Sequence, residues 1–340
     1  MAKYTTELII NKTIWEKFLL SQNPYSFLQS WNWGETNEEC GSKIFRLGFK
    51  KDNKLVGICL LIKENAKRGP HLVIPGGPII NWKDKKIVSI FVNSVKELAK
   101  KEQVWFFRVR PELRDSEDNR LFFRKLGYVP APMHLNAENT WILDISKTEE
   151  ELLSGMRKST RYLVKKSLNQ GLEIEISKDS KAASILFELQ KETAKRHNFV
   201  GFSKKLFASE IKLFANDNNG AVFICRKGDV VLAAAIIIFY NDTAYYHFSG
   251  SVSGHNEIPF SYFLQWQVIK EAKRRGLKFY NFWGIAPNNN PNHRFAGVTL
   301  FKTGFGGERI DWLHAHDMLI SPLYWLTYYF ETLRRIFRKL

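Results

Sequence analysis

The chain has 340 residues, with 51 Lys and Arg against 34 Asp and Glu, a formal charge of +17, and a composition that is 44% hydrophobic and 14% aromatic. This composition excludes a disordered chain, and the length exceeds what one hydrophobic core supports, so two domains are expected. Cys40, Cys59 and Cys225 are odd in number and far apart, which supports neither a disulfide scaffold nor a zinc site.

The N-terminal residues lack an apolar stretch followed by small residues, so no secretory signal is expected and the chain is read as cytoplasmic. No run approaches the ~20 apolar residues of a spanning helix, and the longest, Val230–Tyr240, reads as a buried strand. The excess of base points to a polyanionic partner such as RNA, nucleotide or anionic lipid; the alternative is a solvated lysine-rich surface.

In chain order, Ile44–Leu47 and Leu55–Ile62 are β-rich runs joined by the polar turn Lys51-Asp52-Asn53-Lys54. A third run, His71–Ile74, stops at Pro75-Gly76-Gly77-Pro78, so a meander of antiparallel strands is predicted. The spacing of Ile87, Ile90, Phe91, Val95, Leu98 and Ala99 predicts a one-sided helix over Lys83–Glu102, followed by a strand at Val104–Val109. A short helix over Asp118–Leu126 closes at Gly127.

The second half repeats this order. Val222–Cys225, a turn at Lys227-Gly228-Asp229, Val230–Phe239 and Thr243–Phe248 form a second meander, followed by a helix over Ser261–Arg275 and a strand at Lys278–Phe282. Turn to last strand is about 52 residues in the first half and about 50 in the second, which argues for an internal duplication joined near Asn139–Ile145. The expected fold is α+β, with mostly antiparallel sheets flanked by helices. The predicted domains are 1–142 with 314–340, and 143–313.

Ser146 followed by Glu149 predicts a helix start. Its later turns carry Arg157, Lys158, Arg161, Lys165 and Lys166 without an acid among them, and Arg157, Arg161 and Lys165 share one face of a continuous helix. Such a stripe is either a solvated surface or a seat for nucleic-acid phosphates. At the C-terminus, Leu323, Leu326, Phe330, Leu333, Phe337 and Leu340 lie along one side of a helix. Trp325 stands near its start and Arg334, Arg335, Arg338 and Lys339 near its end. That pattern fits a helix lying at a membrane interface, or one docked on the first domain.

No dinucleotide-binding, Walker, serine-hydrolase or zinc-protease signature occurs, and His314 and His316 lack a third ligand nearby. Two stretches remain, Phe282-Trp283-Gly284-Ile285 and Phe301-Lys302-Thr303-Gly304-Phe305-Gly306-Gly307. In the second, a lone Lys302 among aromatic residues is partly desolvated and suited to a phosphate or developing oxyanion. The alternative is a lysine that reaches solvent past Phe301.

Together with Gln29-Ser30-Trp31-Asn32-Trp33-Gly34, Pro75-Gly76-Gly77-Pro78 and Phe107-Arg108-Val109-Arg110-Pro111-Glu112, these motifs give an order and spacing that resembles the Fem family of peptidoglycan bridge aminoacyltransferases. The resemblance implies two tandem acetyltransferase-like (GNAT) folds, without the coiled-coil arm of some members. It implies transfer of an amino acid from aminoacyl-tRNA to a stem-peptide amine of a peptidoglycan precursor, either lipid-linked or UDP-linked, with the lipid-linked reaction at the inner face of the plasma membrane. No metal or cofactor is implied.

The family's charge-stabilising lysine and the aromatic before it match Lys302 and Phe301. Arg157, Lys158, Arg161, Lys165 and Lys166 are the candidates for tRNA or precursor phosphates, and Trp325, Arg334, Arg335, Arg338 and Lys339 for membrane contact. An Arg and a Tyr that hold a UDP-linked precursor in relatives fall at Phe202 and Leu206, and another family Tyr falls near Phe248. A family lysine meets Asn37, and an acidic position of some relatives is Arg110. These departures favour a lipid-linked acceptor, or a divergent one, over a UDP-linked acceptor and leave the general base unassigned. Two alternatives are a CoA-dependent N-acyltransferase, whose usual pyrophosphate loop is not matched by Ser249–His255, and an inactive relative that binds RNA or membrane.

Overall fold

The computed structural model describes the chain except residues 1, 67, 198–199, 256, 288–290 and 339–340. It divides into two compact units, Met1–Glu138 with Asp311–Leu340, and Asn139–Ile310.

The first unit opens with β1 (Tyr4–Leu8), α1 (Lys12–Leu20) and α2 (Trp31–Glu39). The meander β2 (Lys43–Lys51), β3 (Lys54–Ala66) and β4 (Gly69–Pro75) follows, with a short β5 (Ile79–Ile80), then α3 (Lys85–Lys101), β6 (Phe106–Arg110), α4 (Glu117–Lys125) and β7 (Val129–Pro130). The second unit carries β8 (Asn139–Asp144), α5 (Glu149–Gly155), α6 (Lys158–Ser167), β9 (Glu173–Ser177), α7 (Ala183–His197) and α8 (Lys204–Asn216). Its own meander is β10 (Gly220–Lys227), β11 (Val230–Tyr240) and β12 (Thr243–Ser251), followed by α9 (Phe260–Arg274), β13 (Phe279–Gly284), α10 (Ala296–Thr303) and β14 (Glu308–Asp311). β15 (His316–Leu319) and α11 (Tyr324–Arg338) then complete the first unit.

The strand orders are β1-β2-β3-β4-β6-β15-β7, with β5 beside β3, and β14-β8-β13-β12-β11-β10-β9. The duplication is visible in the pairing. In each unit the meander is antiparallel, a helix follows its third strand, and the next strand lies parallel to that third strand, β6 to β4 and β13 to β12. An antiparallel strand from elsewhere in the chain flanks it, β15 in one unit and β8 in the other. These are two acetyltransferase-like folds in tandem. The longest helix among the described residues is α3, at 17 residues, so none of them forms a coiled-coil arm.

Local chemistry explains the elements. Asp52 and Asn53 both take positive φ, 48° and 65°, the geometry of a two-residue hairpin turn. Asp84 caps α3 by accepting from the N–H groups of Lys86 and Ile87, and Ile87, Phe91, Val95 and Ala99 bury one face against Leu47, Leu61, Leu72 and Val109. The motifs around Trp31 and Pro75 prove architectural. Gln29 is fully buried; its Nε2 donates to Pro75 O at 2.7 Å, and its Oε1 accepts from Leu60 N at 2.8 Å. A Cβ on Gly77 would stand 2.4 Å from the Gln29 side chain, so this close approach requires glycine. Likewise, Arg46 lies 3.7 Å over the Trp31 ring, where a Cβ on Gly34 would obstruct it at 2.5 Å.

Sequence and structure differ in the 145–167 segment. The capping box is Thr148 with Glu151, not Ser146 with Glu149, and the single predicted helix is two, α5 and α6, broken at Met156-Arg157. Ser146 instead bonds Asp144 Oδ1 through both its N–H and hydroxyl. Arg157 is therefore the residue before α6 and shares no helical face with Arg161 and Lys165.

Candidate active site

In the second unit β12 and β13 pair in parallel over Thr243–Tyr245 and Phe279–Asn281, and beyond that they no longer pair with each other, while β12 stays on β11 and β13 on β8. The end of β13 is turned by Trp283, which holds a φ of +64°, a conformation costly for a bulky residue. Asn281 stabilises it by accepting from the Trp283 N–H at 2.8 Å. The inversion is followed by Gly284, whose carbonyl accepts a hydrogen bond from Lys302 Nζ at 2.6 Å.

Lys302 lies on α10. It is only 7% exposed, so it does not reach solvent past Phe301. Its ammonium stands 5.9 Å from the centre of the Tyr246 ring, and no carboxylate among the described residues pairs with it. Burial alone pulls its pKa from 10.5 down to about 7. A side chain in this state responds strongly to any negative charge that arrives or develops beside it.

The wall behind it is aromatic. Phe301 meets Tyr262 edge-on at 5.0 Å, Phe305 lies 5.4 Å from Phe301, and Phe282 lies 5.3 Å from Phe305. Burial raises the Tyr262 pKa, while the charge of Arg157 pulls it the other way, which places Arg157 beside this cluster. Thr299 Oγ1 accepts from Ala286 N at 2.8 Å, tying α10 to the chain that leaves β13.

The glycines after Lys302 serve close approach. A Cβ on Gly304 would stand 2.2 Å from Thr160 Oγ1 and 2.4 Å from Arg157 Nη2, and Gly306 and Gly307 hold φ of +85° and +98°. Arg157 N donates to Gly304 O at 2.9 Å, its guanidinium donates to Leu300 O, and Arg161 Nη1 donates to Ser154 O at 3.0 Å. Thus Arg157 joins the Lys302 site by clamping the end of α10. Lys158 and Lys165 are exposed and Lys166 half-exposed. Lys165 lies about 12 Å along α6 from Arg157, too far to share one phosphate with it.

At the positions where the resemblance places an Arg and two Tyr, Phe202 packs on Phe248 at 4.6 Å, Phe207 lies 4.9 Å from Phe248, and Leu206 donates its N–H to Ser203 Oγ. Asn37 donates to Trp33 O at 2.7 Å, and Arg110 pairs with Glu112 at 3.0 Å in the interior of the first unit. Ser249–Ser251 continue β12 rather than opening a helix, and α9 starts at Phe260, preceded by Pro259 and without a side-chain cap.

Trp325 is exposed on α11, Arg335 is exposed and Arg334 half-exposed; the Arg338 side chain and Lys339 lie outside the described residues. No helix among the described residues is long and apolar enough to cross a membrane, and none of them forms a metal-binding cluster.

Sequence reasoning missed Tyr246, Asn281 and the inverted backbone at Trp283. The one available signal was Trp-Gly ending a strand.

A family model described as the FemAB family matches residues 10–120 and 221–332. The chain is similar to the lipid II:glycine glycyltransferase of Staphylococcus aureus, with 19% identity over 389 aligned positions covering 92% of each protein. Among solved structures it is similar to FemX, with a TM-score of 0.82 and 18% identity over 95% of this chain and 99% of that one. A tandem GNAT protein from the clavulanic acid biosynthesis pathway, at TM-score 0.59 and 10% identity, covers the same shares and has the same doubled fold.

Proposed function

The chain belongs to the FemAB family, and from that premise we propose that it transfers an amino acid from aminoacyl-tRNA to a stem-peptide amine of a lipid-linked peptidoglycan precursor, forming an interpeptide bridge. The observation that carries the reading is Lys302, a buried ammonium without a counter-ion at the place where β12 and β13 part. The lipid-linked acceptor is supported by the similarity to the lipid II:glycine glycyltransferase of Staphylococcus aureus and by apolar side chains at Phe202 and Leu206, where the resemblance implies an Arg and a Tyr for a sugar-nucleotide.

In the reaction the acceptor amine attacks the carbonyl carbon of the aminoacyl ester. A C–N bond forms, the ester C–O bond breaks, the amine gives up a proton, and the terminal ribose hydroxyl leaves with one. The ester is already activated, so catalysis consists of juxtaposition and of stabilising the tetrahedral oxyanion. Lys302 Nζ holds one bond to Gly284 O and has two further N–H donors for that oxyanion. Phe301, packed on Tyr262, fixes the helix that carries Lys302. Lys158, Lys165 and Lys166 on α6 supply charge for tRNA or precursor phosphates, on the cytoplasmic side where aminoacyl-tRNA is available.

The test is transfer of radiolabel from aminoacyl-tRNA to lipid-linked and to UDP-linked precursor, with wild type and Lys302→Ala. Labelling of the lipid-linked precursor, lost by at least about a hundredfold in the variant, is expected from removal of a charge-stabilising donor. An unchanged rate in the variant removes Lys302 from this role, and labelling of only the UDP-linked precursor overturns the choice of acceptor.

A further inference from the structure

α11 is turned inside out. In a helix that merely covers a protein core, the apolar face points inward. Here the inward residues are Tyr324, Thr327 and Glu331, all buried, whereas Leu326, Tyr329, Phe330, Leu333, Ile336 and Phe337, with Trp325, are between 42% and 83% exposed. At about 100° per residue these outward side chains fall within an arc of about 140°, and the three buried ones lie on the opposite side.

The rotation is fixed by ion pairs and hydrogen bonds, with Tyr324 packed edge-on against Phe106 at 5.1 Å. Arg108 reaches from β6 with Nε 2.7 Å from Asp317 Oδ1 and Nη2 2.8 Å from Glu331 Oε2. Arg68 Nε stands 2.7 Å from Glu331 Oε1, Tyr324 OH donates to Asp317 Oδ2 at 3.1 Å, and Thr327 Oγ1 donates to Arg68 O. Glu331 is thus held between two arginines in the interior of the unit. Turning the apolar stripe inward would expose Glu331 and leave Arg108 and Asp317 with fewer partners, so the stripe is committed to the outside.

We propose that α11 is an interfacial anchor that lays its apolar stripe into an anionic lipid bilayer, parallel to the surface. The stripe is a convex ridge on a single helix rather than a groove, as insertion among acyl chains requires. Trp325 and Tyr329, near its start, are the residue types favoured at the headgroup level. Arg335 is exposed near the end of the helix, where its head meets lipid phosphates while its stem follows the apolar surface. A net charge of +17 attracts an anionic leaflet and repels a second copy of the chain, which selects the bilayer over self-association.

The inference is independent of the catalytic proposal, and its test contains neither tRNA nor precursor. The full-length protein is sedimented with vesicles of phosphatidylglycerol and phosphatidylcholine, and with vesicles of phosphatidylcholine alone. The variant Leu326→Ser with Phe330→Ser and Leu333→Ser is run alongside; these side chains are exposed, and unchanged circular dichroism and melting temperature verify that it folds. Wild type is expected to pellet with the anionic vesicles, with binding reduced about tenfold or more in the variant and weakened by added salt. Equal partitioning of wild type and variant, or absence of binding to anionic vesicles, overturns the proposal. So does a wild-type dimer in solution that the substitutions dissociate, which would make the stripe a self-association surface.

Discussion

Replacing Lys302 by Met should make the protein more stable while abolishing its activity. The side chain is 7% exposed, and burial lowers its pKa from 10.5 to about 7, so no discount for solvent screening is needed. Below about pH 7 both folded and unfolded chains carry the proton, and the folded chain bears the full cost of a buried charge, of order 5 kcal/mol from a separation of about 3.5 pKa units. Between about pH 7 and pH 10.5 the unfolded chain binds a proton that the folded chain does not, so wild-type stability rises with pH through that window.

Met removes this dependence but leaves Gly284 O without its donor, at a cost of about 1–3 kcal/mol. The expected outcome is a variant more stable than wild type by about 2–4 kcal/mol near pH 6, an advantage that shrinks by about 2–3 kcal/mol near pH 9. Urea unfolding of both proteins at the two pH values measures this, and titrations common to both cancel. A variant no more stable than wild type at either pH, or a difference that does not change with pH, would refute the claim that Lys302 is a desolvated cation without a counter-ion.

Other outcomes follow from the same contacts. Steady-state transfer should show a high-pH limb near 7, because the lysine must be protonated to stabilise an oxyanion and loses its proton as pH rises through its lowered value. A profile flat from about pH 6 to pH 9 would contradict that role. Gly304→Ala forces a Cβ against Thr160 and Arg157 and should lower stability by about 1–3 kcal/mol, with transfer activity reduced as α10 shifts, both checked on the purified variant. Asp317→Ala removes one of the two acids facing Arg108 and should destabilise the first unit by about 3–5 kcal/mol in urea unfolding. If α6 contacts tRNA, Lys165→Glu with Lys166→Glu should lower the slope of log affinity against log salt by about 1–2, measured by filter binding of aminoacyl-tRNA.

The repeated order of turn, strands, helix and strand was legible because hydrophobic period and turn chemistry agree at each step. Asp52-Asn53 and Gly228 mark the turns, and the spacing from Ile87 to Ala99 marks α3. The break between α5 and α6 was missed although α5 ends on Ser154-Gly155, a pair that favours turns; the bond from Arg157 N to Gly304 O ties the break to a tertiary contact as well. Lys302 was legible as a lone cation among aromatic residues, but the inverted Trp283 and the carbonyl it delivers were not, since a positive φ at Trp is set by tertiary context. The terminal stripe was readable from periodicity. Which face it turns outward was not, because that depends on Arg108 and Arg68 meeting Glu331 across more than two hundred residues of sequence.

The most direct test of the central claim is to mix purified protein with aminoacyl-tRNA and lipid-linked precursor and weigh the precursor by mass spectrometry. The account predicts a gain of one aminoacyl residue on the stem-peptide amine that ribonuclease treatment of the donor abolishes and that Lys302→Ala does not support. A precursor of unchanged mass with aminoacyl-tRNA, accompanied by acetylation when acetyl-CoA is supplied instead, would contradict it.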